Sequence, residues 1–92
     1  MRTLYLFTRT GCVNCPAAEL MVEEAIQEES CKAVVKIIDA DCINESLQYE
    51  LLENQMFIFA VPTIIVRDEG KMKLVSSGNL PTKAALRKAV GG

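Results

Sequence analysis

The sequence carries two cysteines separated by two residues, Cys12 and Cys15, between an apolar run and a helical pattern. Gly11 allows a sharp turn after the run, so Cys12 is expected at or just before the first turn of a helix. Unpaired backbone N–H groups and the helix dipole favour a thiolate there, with a pKa below the ~8.5 of a free thiol. Cys15 would lie about one turn further along the same face, within reach of the Cys12 sulfur. Pro16 suits a first turn because the N–H it lacks has no partner there. The motif predicts a dithiol that exchanges with other disulfides.

Two cysteines at this spacing also form half of a common zinc site, whose second pair follows roughly 15 to 20 residues later. The remaining cysteines, Cys31 and Cys42, have ten residues between them, and the chain contains no histidine. The sequence therefore favours a redox-active disulfide that needs no metal and no organic cofactor. A metal site and an inert structural pair remain as alternatives.

The composition fits one domain spanning residues 1–92, because half of the side chains are hydrophobic and can fill a single core. Twelve acidic and ten basic residues give a net charge of −2, and no basic cluster appears along the sequence. We therefore expect no nucleic-acid and no membrane partner. The early apolar run Leu4–Phe7 is too short for a signal peptide or a membrane span, so we expect a cytoplasmic protein with cysteines that rest as thiols.

The first half of the chain shows two strand patterns, each followed by a helical pattern. Residues 2–8 and 33–39 are rich in apolar and β-prone side chains, which predicts two strands buried on both faces. Apolar residues recur at helical spacing from 14 to 29, and Asn44 can cap a second helix that runs to about Gln55. The buried stripe of that second helix would consist of Ile43, Leu47, Leu51 and Leu52. Strands joined in this way are expected to be parallel, with a right-handed crossover.

The second half of the chain shows a hairpin followed by a helix. Residues 61–66 form a strand pattern opened by a proline, 68–71 a turn, and 72–76 a short strand, so these two strands should be antiparallel. After the segment Ser77–Thr82 comes a helix that should end at the terminal glycines. Its inner stripe would consist of Ala85, Leu86, Ala89 and Val90.

The order β-α-β-α-β-β-α, with the dithiol after the first strand and Val61-Pro62-Thr63 at the start of the third, resembles the thioredoxin fold over essentially the whole chain. The resemblance implies an α/β domain with a four-stranded mixed sheet flanked by three helices. The segment from Phe7 to Cys15 is more similar to glutaredoxins and small glutaredoxin-like redoxins than to thioredoxin itself. The chain has no Trp before the first cysteine and no Gly-Pro between the pair.

The resemblance implies a protein-disulfide reductase in which Cys12 attacks the substrate disulfide and Cys15 resolves the mixed disulfide. Arg9 matches a cationic position of glutaredoxin-like redoxins, where it would stabilise the Cys12 thiolate; an exposed arginine at a strand end is the alternative. Val61-Pro62 looks like the cis-proline loop that lies beside the disulfide in this fold. Val61 would bind an extended peptide through its backbone.

Gly78 lies in a segment that is similar to one in the small redoxins that supply electrons to ribonucleotide reductase, so a substrate-binding role is implied for it. Typical glutaredoxins carry a Gly-Gly and an acidic pair before the last helix, which help to hold glutathione; this chain carries neither. The implied electron donor is therefore a thioredoxin-reductase-type flavoprotein rather than glutathione. We expect a monomer that acts on disulfide-containing proteins, with ribonucleotide reductase as one candidate.

Two other functions remain open. In one, the dithiol holds zinc or shares an iron–sulfur cluster between two subunits; in the other, it serves only as a redox sensor in an interaction domain. Cys31 and Cys42 flank the second strand, so they should lie too far apart to form a disulfide. Cys42 should emerge at the same end of the sheet as Cys12, as a small buried residue or as an auxiliary thiol.

Overall fold

This computed structural model describes residues 2–28 and 33–91, which contain four strands and three helices. The elements in chain order are β1 (Arg2–Thr8), α1 (Cys15–Glu28), β2 (Val34–Asp39), α2 (Glu45–Glu53), β3 (Thr63–Asp68), β4 (Lys71–Ser77) and α3 (Lys83–Gly91). The predicted order of strands and helices is confirmed.

The four strands form one mixed sheet in the order β2-β1-β3-β4. Leu6 of β1 lies opposite Ile37 of the parallel strand β2 and opposite Ile64 of the antiparallel strand β3. β4 is antiparallel to β3, and the two are joined by a tight turn from Asp68 to Lys71. The parallel pairing, the hairpin and the four-stranded mixed sheet are as predicted.

The core lies on both faces of the sheet, and β1 contributes to each of its halves. α1 and α3 cover one face, where Leu4 and Leu6 pack among the buried residues Ala18, Val22, Ala25, Ile64, Val66, Leu86 and Val90. α2 covers the other face, where Tyr5 and Phe7 pack among Leu47, Leu51, Ile65 and Met72. The continuous apolar pattern of β1 therefore reflects burial on both sides, and each fully buried aliphatic side chain contributes roughly 1.5–3 kcal/mol.

β2 differs from the prediction because it lies at the edge of the sheet. None of its six residues is buried, and the side chains of Val34 and Ile37 are 39% and 48% exposed. Val35 and Ile38 are half-buried against the two core clusters. An edge strand has a neighbour on one side only, so an apolar sequence does not by itself ensure burial.

The second helix begins as predicted but buries a narrower stripe. The Asn44 side chain accepts a hydrogen bond from the Leu47 N–H at 2.8 Å, which confirms the cap. Leu47 and Leu51 are buried, whereas Leu52 is 64% exposed, so its predicted burial is wrong. Residues four apart share a helix face, and the next residue is turned by about 100°. α2 ends at Glu53, two residues before the predicted Gln55.

The last helix matches its predicted inner stripe. Leu86 and Val90 are buried, and Ala85 and Ala89 are half-buried. Thr82 caps the helix, because its hydroxyl oxygen accepts a hydrogen bond from the Ala85 N–H at 3.0 Å. Among the described residues, no helix combines the length and the apolar character that a membrane crossing requires.

Candidate active site

Cys12 and Cys15 form a disulfide where β1 passes into α1. The S–S distance is 2.06 Å and the two Cα atoms are 5.5 Å apart. Between strand and helix the chain turns at Gly11, which has a φ of +86°, and the Cys12 N–H donates to the Arg9 carbonyl oxygen at 3.1 Å. The sharp turn predicted at Gly11 is therefore confirmed, and it brings the two sulfurs together.

The two cysteines differ in their exposure to solvent. Cys15 is the first residue of α1 and is only 6% exposed, whereas Cys12 precedes the helix and is half-buried. Val13, between them, is 90% exposed. The Ala18 N–H donates to the Asn14 carbonyl oxygen at 3.0 Å, so the N–H groups ahead of Ala18 in this turn have no partner within the helix. A molecule approaching from solvent can reach Cys12 more easily than Cys15.

The predicted proline loop leads into β3. The Val61-Pro62 peptide bond is cis, as predicted. Pro62 is fully buried and Val61 is half-buried. Thr63 is also fully buried, and its hydroxyl donates a hydrogen bond to the Ala60 carbonyl oxygen. The loop is thus fixed to the start of β3 by a side chain that has no contact with solvent.

Gly78 contacts this proline loop directly. Its N–H donates to the Pro62 carbonyl oxygen at 2.8 Å, and its φ is +78°. A Cβ atom at this position would lie 3.1 Å from the Ala60 Cβ, closer than such atoms normally pack. Gly78 therefore supports the loop from β4, a structural contact that the sequence did not reveal. Its predicted role in substrate binding remains a prediction.

Arg9 forms an ion pair with Asp41, which follows β2. The Arg9 Nε lies 3.1 Å and 3.2 Å from the two Asp41 carboxylate oxygens, and both side chains are exposed. Asp41 was missed in the sequence, although parallel strands place the residues after their ends side by side. Thr8 indeed lies opposite Asp39, and the Ala40 N–H donates to the Thr8 carbonyl oxygen at 2.7 Å. The predicted action of Arg9 on the Cys12 thiolate remains a prediction.

Exposed apolar side chains lie on the two loops that carry the dithiol and the proline. Besides Val13, they are Phe57 and Phe59, which are 56% and 84% exposed with ring centroids 5.9 Å apart. Phe59 lies three residues before Pro62. The run Phe57-Ile58-Phe59 was visible in the sequence, but nothing there indicated that the rings face solvent. Exposed apolar groups of this kind are common at protein interaction sites.

Cys42 is a free, exposed thiol at the same end of the sheet as the dithiol. Its N–H donates to the Asp39 carbonyl oxygen at 2.9 Å, in a turn after the edge strand. The prediction that Cys42 lies at the Cys12 end of the sheet is confirmed. The prediction that Cys42 is buried is wrong, because no described element covers this turn. Cys31 lies outside the described residues, so the predicted absence of a Cys31–Cys42 bridge stays a prediction. In the described part of the chain, no three cysteine, aspartate or glutamate side chains converge as metal ligands would.

Comparisons with solved structures show that this chain is similar in structure to several thioredoxins. The chain is similar to chloroplastic thioredoxin z, with 26% identity and a TM-score of 0.68 over 99% of this chain and 76% of that chain. It is also similar to oxidised mitochondrial thioredoxin 3 from Saccharomyces cerevisiae, with 21% identity and a TM-score of 0.66 over 97% and 76% of the two chains. Thioredoxin-2 of a malaria parasite matches with 17% identity and a TM-score of 0.66 over 96% and 79%. The chain has the thioredoxin fold.

The predicted resemblance to the thioredoxin fold is therefore confirmed, while the narrower likeness to glutaredoxins stays a prediction. A scan against protein-family models and a search of curated proteins found no match. The thioredoxin fold and a Cys-x-x-Cys disulfide at the start of α1 together support thiol–disulfide oxidoreductase chemistry.

Proposed function

We propose that this thioredoxin-fold protein is a thiol–disulfide oxidoreductase that reduces disulfides in other proteins. The observation that carries the proposal is the Cys12–Cys15 disulfide, with a buried Cys15 inside the helix and a more accessible Cys12 before it. This asymmetry supports Cys12 as the attacking sulfur and Cys15 as the resolving sulfur.

The reaction has two exchange steps. In the first, the Cys12 thiolate attacks one sulfur of the substrate disulfide, the substrate S–S bond breaks, and one substrate thiolate leaves. In the second, Cys15 loses its proton and attacks the Cys12 sulfur, and the mixed disulfide breaks to release the second substrate thiolate. Two electrons pass from the dithiol to the substrate, both substrate sulfurs take up protons, and the Cys12–Cys15 disulfide remains.

The start of α1 favours the thiolate that begins the cycle. The unpaired N–H groups of the first turn and the positive end of the helix dipole lie next to the Cys12–Cys15 pair. Arg9 contributes a cation three residues before Cys12, although Asp41 offsets part of its charge. The helix is therefore the main source of stabilisation, and Arg9 is a secondary one.

The substrate would bind across the proline loop and the loop of the dithiol. Val61 precedes the buried Pro62 and can offer its backbone to an extended peptide that carries the disulfide. Gly78 keeps this loop in place through its hydrogen bond to Pro62. The exposed side chains of Val13 and Phe59 provide apolar contacts that require no particular substrate sequence. Such a surface suits a reductase with several protein substrates.

We propose a thioredoxin-reductase-type flavoprotein, with NADPH behind it, as the source of electrons. The support is the similarity to thioredoxins together with the missing Gly-Gly and acidic pair of typical glutaredoxins. Ribonucleotide reductase is one candidate substrate, suggested by the likeness of Ser77–Thr82 to small redoxins. We further propose that the protein acts as a monomer in the cytoplasm.

Insulin reduction tests the proposal. The oxidised protein is incubated with insulin and either thioredoxin reductase plus NADPH or glutathione plus glutathione reductase and NADPH, and NADPH oxidation is followed. We expect turnover with the thioredoxin-reductase system and none with the Cys12→Ser variant. Turnover with the glutathione system and not with thioredoxin reductase would mean that glutathione is the electron donor. A protein that absorbs visible light and reduces insulin with neither system would instead point to a module that binds an iron–sulfur cluster.

A further inference from the structure

A cavity of about 490 Å³ lies at the end of the sheet opposite the disulfide. β4 and α3 form its walls, together with the first residue of β1 and the end of β3. Cavities of roughly 300–1,000 Å³ are the usual size for small-molecule sites. This cavity therefore has room for a small organic molecule.

The inner surface of the cavity is apolar. Val66 is buried, and Val75, Ala85 and Ala89 are half-buried. The two alanines lie one turn apart on α3, so they present only methyl groups to the space between helix and strand. Larger side chains at these positions would fill much of the cavity.

The opening of the cavity is cationic. Lys71, Lys73 and Lys88 line it and are exposed, and among the described residues none of the three forms an ion pair with a carboxylate. Arg2 also lines it, but it is paired with Asp68 at 3.2 Å. Asp68 and Glu69 line the cavity as well, so its lining holds four basic and two acidic side chains, whereas the chain as a whole has a net charge of −2.

This concentration of charge is separate from the dithiol. β1 begins with Arg2 at the cavity and ends with Thr8 near Cys12, and its seven residues span about 20 Å. The turn between β3 and β4 lies at the cavity end, whereas Pro62 and Gly78 lie at the other end of those strands. A molecule in the cavity would therefore leave the dithiol accessible.

We propose that this cavity binds a small amphiphilic anion, with an apolar body against Val75, Ala85 and Ala89 and an anionic head held by Lys73, Lys88 and Lys71. The apolar walls match the body of such a molecule, and the unpaired lysines match its head. A neutral apolar molecule would leave the lysines without a counter-charge, and an inorganic anion would leave the walls exposed to water. The head can be a phosphate or a carboxylate, since an ammonium group binds either as a point charge.

The test uses 1-naphthyl phosphate as the probe and the full oxidised chain as the receptor, with binding measured by calorimetry. We expect 1-naphthyl phosphate to bind more tightly than either inorganic phosphate or 1-naphthol, and its affinity to fall with added salt. Amide signals of Val75 and Ala89 should shift in NMR spectra on titration. Absence of binding, or equal affinity for all three compounds, would overturn the proposal.

Two variants assign the site, and a third serves as the matched control. Replacing Lys73 and Lys88 together with Gln should weaken binding roughly fivefold or more, since exposed charge pairs contribute modestly. Ala85→Phe should abolish binding by filling the cavity. Lys36→Gln removes an exposed lysine from the distant edge strand β2 and should leave the affinity unchanged. If Lys36→Gln weakens binding as much as the double change, the head is not held where we propose.

Folding and insulin reduction are measured for each variant. The lysine variants should unfold at the temperature of the unchanged protein and reduce insulin at the same rate, because the cavity is remote from Cys12. If Ala85→Phe fails to fold, the comparison of the lysine variants still decides the question. A loss of insulin reduction in the lysine variants would contradict the separation of the two sites.

Discussion

Replacement of Gly78 by alanine tests whether this residue supports the proline loop. An alanine with φ near +78° is strained by roughly 1–2 kcal/mol. Alanine also lowers the conformational entropy of the unfolded chain, which offsets about 0.4–1 kcal/mol of this loss. The new Cβ would also lie 3.1 Å from the Ala60 Cβ, and such overpacking costs about 1–3 kcal/mol. We therefore expect the free energy of unfolding to fall by about 2–3 kcal/mol, and the melting temperature by roughly 10 °C or more.

Gly70→Ala is the matched control for this prediction. Gly70 has a φ of +81°, but a Cβ there would meet no atom within 4 Å. Its replacement should carry the same backbone strain without the contact to Ala60, so the loss should be about 1 kcal/mol. Urea denaturation of the oxidised protein measures both variants, and insulin reduction is followed in parallel. Only Gly78→Ala should slow the reduction several-fold, because only there would the new Cβ press against Ala60 and displace the proline loop.

A second change isolates the contact itself. Ala60→Gly removes the atom that the new Cβ would approach, so the double variant should recover much of the stability lost by Gly78→Ala alone. Equal losses for Gly78→Ala and Gly70→Ala, with no recovery in the double variant, would refute the role of the Ala60 contact. Unchanged insulin reduction in Gly78→Ala would refute the support of the proline loop.

Three further predictions concern single side chains. Cys15→Ser should accumulate mixed disulfides with insulin on non-reducing gels and Cys12→Ser should not; the reverse would exchange their roles. Asn44→Ala should lower the free energy of unfolding by about 1 kcal/mol in urea, because the cap of α2 is lost; no change would contradict the capping bond. The hydrogen bond from Arg87, and then its charge, lowers the pKa of Glu28 below its ordinary value of 4.5. The folded state thus favours the ionised Glu28 carboxylate. This contribution to stability is present above about pH 4.5 and is lost as the pH falls through the lowered pKa that Glu28 has in the folded protein. Unfolding experiments at several pH values should show the difference between the unchanged protein and Glu28→Gln fading on acidification, and a constant difference would contradict this linkage.

The elements of this fold could be predicted because their signals are local. β1 is apolar from Leu4 to Phe7, Asn44 stands directly before its helix, and the two cysteines lie at a spacing that brings their sulfurs together. Each of these signals depends on residues within one or two turns of one another. The cis-proline loop was found in a different way, through likeness to a known fold.

The errors in the prediction concern positions that only the assembled sheet defines. Whether an apolar strand such as β2 lies at the centre or the edge depends on which strands pair with it, and its sequence carries no such information. The pairing of Arg9 with Asp41 joins residues 32 positions apart in the chain. The cationic cavity was hidden for the same reason, because Arg2, Lys73 and Lys88 come from three separate segments.

The register of the sheet explains why three separate segments meet at the candidate active site. Phe7 lies opposite Thr63, and Thr63 lies opposite Ser77, so these residues form one row across β1, β3 and β4. The dithiol loop follows the first of them, Pro62 precedes the second, and Gly78 follows the third. A shift of one residue in either pairing would turn Thr63 from its buried site and separate Gly78 from Pro62. The hydrophobic core that fixes the register therefore also positions the candidate active site.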